Sequence, residues 1–303
     1  MPSGDAVPVA AGGTGAVNAA AARANLSALN ALLPSLRNRL INGAMLINQR
    51  SFAGGSLAAG VYGYDRWKAG SGGASFSVSS AGVITHTNGP LIQVIEDNGA
   101  ADLAGTSVTV SVEDPSGSVS VSLAYSATNT TTVTGSIASG SGRQGVTLTL
   151  PSGTGTLTLT LTGSGVTYKR VQLEPGSTAT SWDARPYGIE FFLCQRYFQI
   201  FGGVYPYQTI GLGNFPNTVL CDVMVHMPVQ MRTSPVLTAN NPGSFTITDG
   251  ISAYTPTAIT GPDASSTNAF LVRASISGAT TGRAARMYTN NSTAAYITLS
   301  AEL

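Results

Sequence analysis

Few side chains in this sequence could do acid–base or nucleophilic chemistry, and their spacing is poor for it. Two adjacent carboxylate pairs are present, Glu96-Asp97 and Glu113-Asp114. Adjacent residues in a strand point to opposite faces, so neither pair could flank one glycosidic bond. The two histidines, His86 and His226, are distant in sequence, which disfavours a histidine triad or a zinc site unless chains meet. We therefore expect no catalytic residue, no metal site and no cofactor.

Several aromatic residues stand beside loop residues and could instead bind a sugar. Aromatic rings pack on the apolar faces of sugars, and amide side chains exchange paired hydrogen bonds with hydroxyl groups. The candidate glycan-binding residues are Tyr205, Tyr207, Tyr254, Arg286, Tyr288 and Asn290. Two alternatives stay open: the tyrosines are ordinary surface residues, and Arg283 and Arg286 pair with carboxylates of sister chains rather than with an anionic polysaccharide.

The two tryptophans are also possible sugar platforms, but their surroundings favour packing. Trp67 follows Asp65 and Arg66, and Trp182 stands in the run Trp-Asp-Ala-Arg that ends at Arg185. These patterns predict buried rings with paired Asp and Arg side chains at the edge of a sandwich.

The composition favours packed sheets over a charged, enzyme-like surface. The chain has 303 residues, of which 43% are hydrophobic and only 10% are charged, against about 25% in an ordinary soluble domain. Such a surface gains little solubility from charge repulsion, so we expect sister chains to cover much of it. The net charge of +1 implies neither nucleic acid nor an anionic membrane as a partner.

Targeting and cysteine signals are weak. No run of about 18 apolar residues and no signal peptide is apparent. Cys194 and Cys221 are too few for a disulfide framework, and we expect buried free thiols rather than one bridge. Free thiols suit assembly in a reducing cytoplasm.

Alternating apolar and hydroxyl residues predict strands through the middle of the chain. The alternation covers residues 108–112, 119–123, 146–150 and 157–162, and around His86 it predicts an outward-facing histidine. Turn residues at 114–117 and 151–153 predict antiparallel hairpins with one apolar face each. Two such sheets must bury those faces against each other, which predicts a jelly-roll-like β-sandwich over residues 38–187, an architecture shared by several carbohydrate-binding modules.

The chain on either side of this sandwich differs in character. Residues 1–37 are Ala/Gly-rich, with a short helix expected over 19–30 after an N-cap at Asn18 and before Pro34. Residues 188–200 predict a linker helix whose apolar stripe is broad enough to be buried on most sides. Short strands then resume, so residues 188–303 predict the linker helix and a smaller C-terminal β-sandwich, the tip domain. The expected fold class is mainly β.

The most distinctive segment, residues 171–199, combines a strand, a proline-containing turn and the aromatic helix: VQLEPGSTATSWDARPYGIEFFLCQRYFQ. It resembles a segment of tail fibre and receptor-binding proteins of tailed bacteriophages. The matching residues include Gln172, Leu173, Glu174, Gly176, Ala179, Thr180, Trp182, Arg185, Pro186, Tyr187, Glu190, Cys194, Gln195, Arg196 and Tyr197. We expect its aromatic residues and its cysteine to pack rather than to react.

Other segments resemble the same proteins. Residues 11–26 are similar to the N-terminal module of trimeric tail fibres, and residues 40–52 with 63–70 are similar to the opening of their β-sandwich. One position departs from the pattern: Ala44 stands where an acidic residue is usual, which puts in doubt any ion or polar network that the acid would support.

The resemblance implies a homotrimeric virion protein, a tail fibre or receptor-binding protein that adheres to a bacterial surface glycan through many weak sites. It implies assembly in the host cytoplasm, a place in the phage tail, and attachment to other tail or baseplate proteins through residues 1–37. Two alternatives stay open: a tail-associated polysaccharide depolymerase, and a head or collar decoration fibre without a receptor role.

Overall fold

The computed structural model describes residues 36–261 and 266–303, so the helix expected over residues 19–30 lies outside the described residues. The described chain divides into two compact units. The first contains residues 36–46, Phe52–Gly63 and Trp67–Tyr187. The second contains Gly188–Leu303 together with two short segments from earlier in the chain, Ile47–Ser51 and Tyr64–Arg66.

The first unit is built almost entirely from strands, with one short helix. Its strands are β1 (Gly55–Leu57), β2 (Lys68–Ala69), β3 (Ala74–Val78), β4 (Ile84–Asn88), β5 (Pro90–Ile95), β6 (Ser107–Glu113), β7 (Val119–Tyr125), β8 (Val133–Ile137), β9 (Arg143–Thr149), β10 (Leu157–Thr162) and β11 (Val166–Pro175), and its helix is α1 (Asp97–Ala101). A six-stranded sheet has the order β1-β3-β4-β11-β6-β9, and a five-stranded sheet has the order β2-β5-β10-β7-β8. All pairings are antiparallel, so the predicted β-sandwich is confirmed.

The predicted hairpins are wrong. Strands β6 and β7, joined by the turn at residues 114–117, belong to different sheets, and so do β9 and β10. Instead β6 pairs with β9 and β11, while β7 pairs with β8 and β10. A crossover between two sheets leaves the same alternating pattern as a hairpin, because each strand buries one apolar face in either case.

His86 is also not where its sequence context predicts. It lies on β4 but is fully buried, with its ring nitrogens 3.0 Å from the Tyr168 hydroxyl and 2.7 Å from the Gly89 carbonyl oxygen. Burial lowers the pKa of His86, since the charged imidazolium would lose its hydration. Ile84 and His86 are two residues apart and share the buried face of β4, so the expectation failed because histidine was treated as a polar, outward residue.

The second unit contains a helix and two further sheets. Its elements are α2 (Tyr187–Gln195), β12 (Phe198–Gly202), β13 (Thr209–Asn217), β14 (Leu220–His226), β15 (Val236–Asn240), β16 (Phe245–Thr248), β17 (Ala253–Tyr254), β18 (Ala258–Thr260), β19 (Ala269–Ser275), β20 (Ala284–Thr289) and β21 (Tyr296–Ser300). A three-stranded sheet has the order β12-β21-β15, and a seven-stranded sheet has the order β17-β16-β20-β13-β14-β19-β18. Buried residues of both sheets form one hydrophobic core, which confirms a second β-sandwich after a short helix.

Helix α2 is less buried than its composition predicts. Cys194 is its one fully buried residue, whereas Ile189 and Phe192 are exposed. Phe191 and Leu193 are partly buried, so the helix is covered on one side while Ile189 and Phe192 stay at the surface. Cys194 and Cys221 are free and buried, as expected.

The two early segments enter the second unit through a buried ionic cluster. The Asp65 carboxylate accepts hydrogen bonds from the backbone and side-chain amides of Gln49, at 2.7 and 2.8 Å. Glu302 pairs with Arg50 at 3.0 Å and also with Arg66. The guanidinium groups lie over aromatic rings, Arg50 at 3.7 Å from the centre of one ring and Arg66 at 3.4 Å from another. Charge pairing and ring contacts therefore tie residues 47–51 and 64–66 to the C-terminal strands.

Candidate functional site

The candidate residues on β20 project from the outer face of the seven-stranded sheet. Strand β20 alternates between buried and accessible positions: Met287 is fully buried, whereas Arg286 is exposed and Tyr288 is half-exposed. Cross-strand partners share a face, so the register places Arg286 between Leu212 of β13 and Thr248 of β16. A row of outward side chains therefore crosses this part of the sheet.

Arg286 and Tyr288 form a stacked pair. The guanidinium carbon of Arg286 lies 4.7 Å from the centre of the Tyr288 ring, within the range of a cation–π contact. Tyr288 itself pairs with Thr209 on one side and Thr246 on the other. The result is an aromatic ring with a cation beside it and threonines on both neighbouring strands.

Arg286 differs from two nearby arginines in its electrostatics. Arg273 makes two hydrogen bonds of 2.6 Å to the Asp222 carboxylate, and Arg283 lies 2.9 Å from the Asp249 carboxylate. No carboxylate of the described residues forms an ion pair with Arg286. Its charge therefore remains available to an anionic group of a ligand.

The loop at residues 203–208 is fixed to the end of β20 by Thr289. The Thr289 hydroxyl accepts a hydrogen bond from the Gln208 amide at 2.8 Å and donates one to the Tyr205 carbonyl at 3.2 Å. The Thr289 amide donates to the Gln208 carbonyl at 2.9 Å. Thr289 is buried and follows Tyr288 directly, so its side chain points to the core face, opposite to Tyr288, and these bonds fix the loop to the end of β20.

Both tyrosines of this loop expose their rings: Tyr205 is 69% and Tyr207 59% accessible. Tyr207 has a φ of 58°, in the left-handed region that costs a residue with a side chain about 1–2 kcal/mol. The neighbouring hydrogen bonds of Gln208 hold this conformation. Backbone strain that is maintained at an exposed aromatic residue is typical of functional loops.

The last two candidates are placed differently. Asn290 is exposed directly after β20, and its amide donates to the Ser244 carbonyl at 2.8 Å, so it joins the same end of the sheet. Tyr254 does not join it: its register partner, Ile247, is fully buried, and its ring packs edge-on against Phe215 at 5.3 Å. Tyr254 thus contacts the hydrophobic core on the opposite face.

Two outward apolar residues of the same face were not singled out from the sequence. Leu212 and Met224 pair across β13 and β14, and they are 65% and 51% exposed. The strict alternation of strand β14 could have identified Met224, because it occupies one of the outward positions of that strand. This apolar pair continues the row that begins at Arg286.

The tryptophans belong to the first unit and differ in burial. Trp67 is fully buried and its indole donates to the Asn42 carbonyl at 2.9 Å, as a packing role predicts. Trp182 is only half-buried, with the Arg143 guanidinium 5.5 Å from its ring. Burial lowers the pKa of Arg143 to about 10.

Polar side chains of the segment 172–185 make hydrogen bonds within the first unit and are therefore not available as a ligand-binding site. Glu174 is buried and accepts hydrogen bonds from the Thr180 amide at 2.9 Å and hydroxyl at 2.5 Å. Gln172 accepts one from the Asp183 amide at 2.9 Å. The Arg185 guanidinium donates to the Leu40 carbonyl at 2.8 Å. These contacts close the end of the first sandwich.

Residues 36–261 and 266–303 contain no group of three or more His, Cys, Asp or Glu side chains arranged to hold a metal ion. Within the same ranges, no helix is both long and apolar enough to cross a membrane.

Comparisons with known proteins give weak likenesses. No protein-family model matches this chain, and no curated protein matches it. The chain is similar to the N-terminal CBM22-1-CBM22-2 tandem domain of Paenibacillus barcinonensis Xyn10C, with 9% identity over 82% of this chain and 97% of that one, and a TM-score of 0.26. It is also similar to discoidin II of Dictyostelium discoideum, with 13% identity over 84% and 88% of the two chains and a TM-score of 0.20. Both TM-scores are too low to bear on the fold or function of this chain.

Proposed function

We propose that this protein is an adhesion protein that binds an acidic bacterial surface polysaccharide through the outer face of the seven-stranded sheet. The observation that carries the proposal is the exposed stack of Arg286 on Tyr288; the exposed rings of Tyr205 and Tyr207 lie in the loop that is bonded to the end of the same strand. The arginine donates to a sugar carboxylate while the rings pack on apolar sugar faces. The exposed Thr209 beside Tyr288 and the side-chain amide of Asn290 supply hydrogen bonds to hydroxyl groups.

The binding is non-covalent and weak at each site. The site lies on an open sheet face and buries little of a ligand, so a single contact gives modest affinity. Several copies of the chain raise the effective concentration at a polysaccharide surface and convert weak contacts into stable attachment. We propose a homotrimer as the source of these copies.

The biological setting that we propose is the tail of a bacteriophage virion, with the chain acting as a tail fibre or receptor-binding protein. This part rests on the resemblance of residues 171–199, 40–52 and 11–26 to such proteins. Mass measurement by sedimentation tests the trimer, since a mass near that of one chain contradicts it. Blocking of phage adsorption by the purified protein tests the receptor role, and unchanged adsorption favours a decoration fibre.

The site itself is tested on an array of acidic and neutral bacterial polysaccharides, with Arg286→Gln as the variant. Loss of a charge-assisted hydrogen bond, about 1.5–3 kcal/mol, weakens binding of acidic polysaccharide about 10- to 100-fold. Arg283→Gln is the matched control, because Arg283 is also exposed but is already paired with Asp249. Equal binding by the two variants contradicts the proposed site, and release of new reducing ends from the polysaccharide shows a depolymerase instead.

A further inference from the structure

A groove lies in the first unit, on the outer face of the five-stranded sheet. It is a groove of about 420 Å³ over strands β7, β8 and β10. The lining residues are Ser120, Val121, Ser122, Thr134, Gly135, Ser136, Thr160 and Thr162. The lining contains six hydroxyl side chains and no charged side chain.

The register arranges these hydroxyl groups in two parallel rows. One row crosses the three strands at Thr160, Ser122 and Thr134, and the other crosses them at Thr162, Ser120 and Ser136. Neighbouring strands are about 4.7–4.9 Å apart, so hydroxyl groups recur at that spacing along each row. This regular array results from the alternation that buries the leucines and valines of the same strands on the other face.

Most of these hydroxyl groups make no side-chain hydrogen bond within the part of the chain that the structure describes. Ser136 lies 2.6 Å from the Ser118 hydroxyl. The other five side chains make no side-chain hydrogen bond to any described residue. They are therefore available to a ligand as both donors and acceptors.

Beyond the groove, the first row continues across the sheet with apolar and charged side chains instead of hydroxyl groups. Beyond Thr160 it reaches Ile92 of β5 and then Lys68 of β2, which also bridges to Tyr62. The Lys68 ammonium lies 5.6 Å from the centre of the Tyr62 ring. A ligand longer than the groove would thus meet an apolar side chain and then an aromatic ring.

We propose that this groove binds a neutral oligosaccharide, in a site separate from the acidic-polysaccharide site of the second unit. Sugar hydroxyl groups are both donors and acceptors, as are the serine and threonine side chains of the lining, so each can satisfy the other. Threonine methyl groups and Ile92 contact the C–H faces of the sugar rings. An extended peptide would instead pair with the backbone at a sheet edge, rather than with side chains on the face.

The test uses the full chain and an array of neutral hexasaccharides of glucose, galactose, mannose and N-acetylglucosamine, followed by calorimetry. The variant is the double substitution Ser122→Ala and Thr160→Val, which removes two adjacent hydroxyl groups; valine keeps the shape of threonine, and alanine keeps the β-carbon of serine. Loss of two hydrogen bonds at about 0.5–1.5 kcal/mol each weakens binding about 5- to 150-fold.

The matched control is Ser77→Ala with Thr85→Val, a cross-strand hydroxyl pair exposed on the other sheet. The inference is supported if wild type, this control and Arg286→Gln bind a neutral hexasaccharide equally while the groove variant loses binding with an unchanged melting temperature. It is overturned if no neutral hexasaccharide binds the wild-type chain, or if the groove variant retains the binding, whatever Arg286→Gln does. Neither result decides the acidic-polysaccharide site, which is judged by Arg286→Gln on acidic polysaccharide.

Discussion

Replacing Glu302 by Gln should strongly destabilise the second unit, because it unbalances a buried charge cluster. Arg50 and Arg66 carry two positive charges, and Asp65 and Glu302 carry two negative ones. Their side chains are between 0% and 15% exposed. The substitution keeps the side-chain volume but leaves one net positive charge away from water.

The magnitude follows from the burial of the pairs. Removing one partner of a buried ion pair costs about 3–5 kcal/mol, since the remaining charge keeps its desolvation penalty. The aromatic rings under Arg50 and Arg66 still stabilise both cations, at 3.7 and 3.4 Å, so we expect the lower end of that range. For a free energy of unfolding of about 5–15 kcal/mol, this is a large loss.

The measurement is urea unfolding followed by far-UV circular dichroism and by tryptophan fluorescence. Both tryptophans, Trp67 and Trp182, belong to the first unit, so fluorescence reports that unit while circular dichroism reports both. Glu113→Gln is the matched control, because its pair with Arg170 is solvent-exposed, 49% for the arginine, and is worth about 0.2–1 kcal/mol. If Glu302→Gln costs no more than this control, the reasoning about the buried cluster is refuted.

Three further outcomes follow from the structure. Because the pKa of His86 is lowered from its ordinary value of 6.5, the folded first unit binds the proton less well than the unfolded chain. The resulting stability is fully present above pH 6.5 and is lost as the pH falls toward the folded pKa. The urea concentration at the fluorescence-detected midpoint should therefore be lower at pH 5.5 than at pH 7.5, and this decrease should be smaller in His86→Gln. Gly135→Ala should destabilise the same unit by about 1–3 kcal/mol in urea unfolding, since a Cβ there would stand 2.7 Å from the Cγ2 atom of Val146. An unchanged urea midpoint would show that Val146 can move away from the added methyl group without cost. Cys194 and Cys221 should resist a disulfide thiol reagent at pH 8 in the native protein and react in urea, because burial raises the pKa of both thiols, that of Cys221 to about 12; rapid native reaction would contradict their burial.

Much of the secondary structure could be predicted because it rests on local alternation. The strands over residues 108–112 and 157–162 were found from their spacing, and the buried thiols from composition alone. Strand partners could not be found in this way. The same alternation fits a hairpin and a crossover between sheets, and only the packing of the two apolar faces selects between them.

The candidate site was predicted in part. Arg286 and Tyr288 were chosen by residue type, and their shared outward face follows from their spacing of two residues on β20. That Tyr254 turns to the core and that Leu212 lies beside Arg286 depends on the register of strands far apart in sequence. The hydroxyl rows of the first unit likewise require three strands to be aligned.

The sequence by itself determined that this is a mainly β protein with two β-rich regions, few charges and no obvious catalytic constellation, because composition and short-range periodicity carry that information. Only the tertiary structure decided that residues 47–51 and 64–66 belong to the C-terminal unit, and which groups bond the ring of the buried His86. Those outcomes depend on burying charges and polar groups against partners more than 80 residues away, Tyr168 for His86 and Glu302 for Arg66. Such partners satisfy the desolvated groups, and no local pattern encodes them.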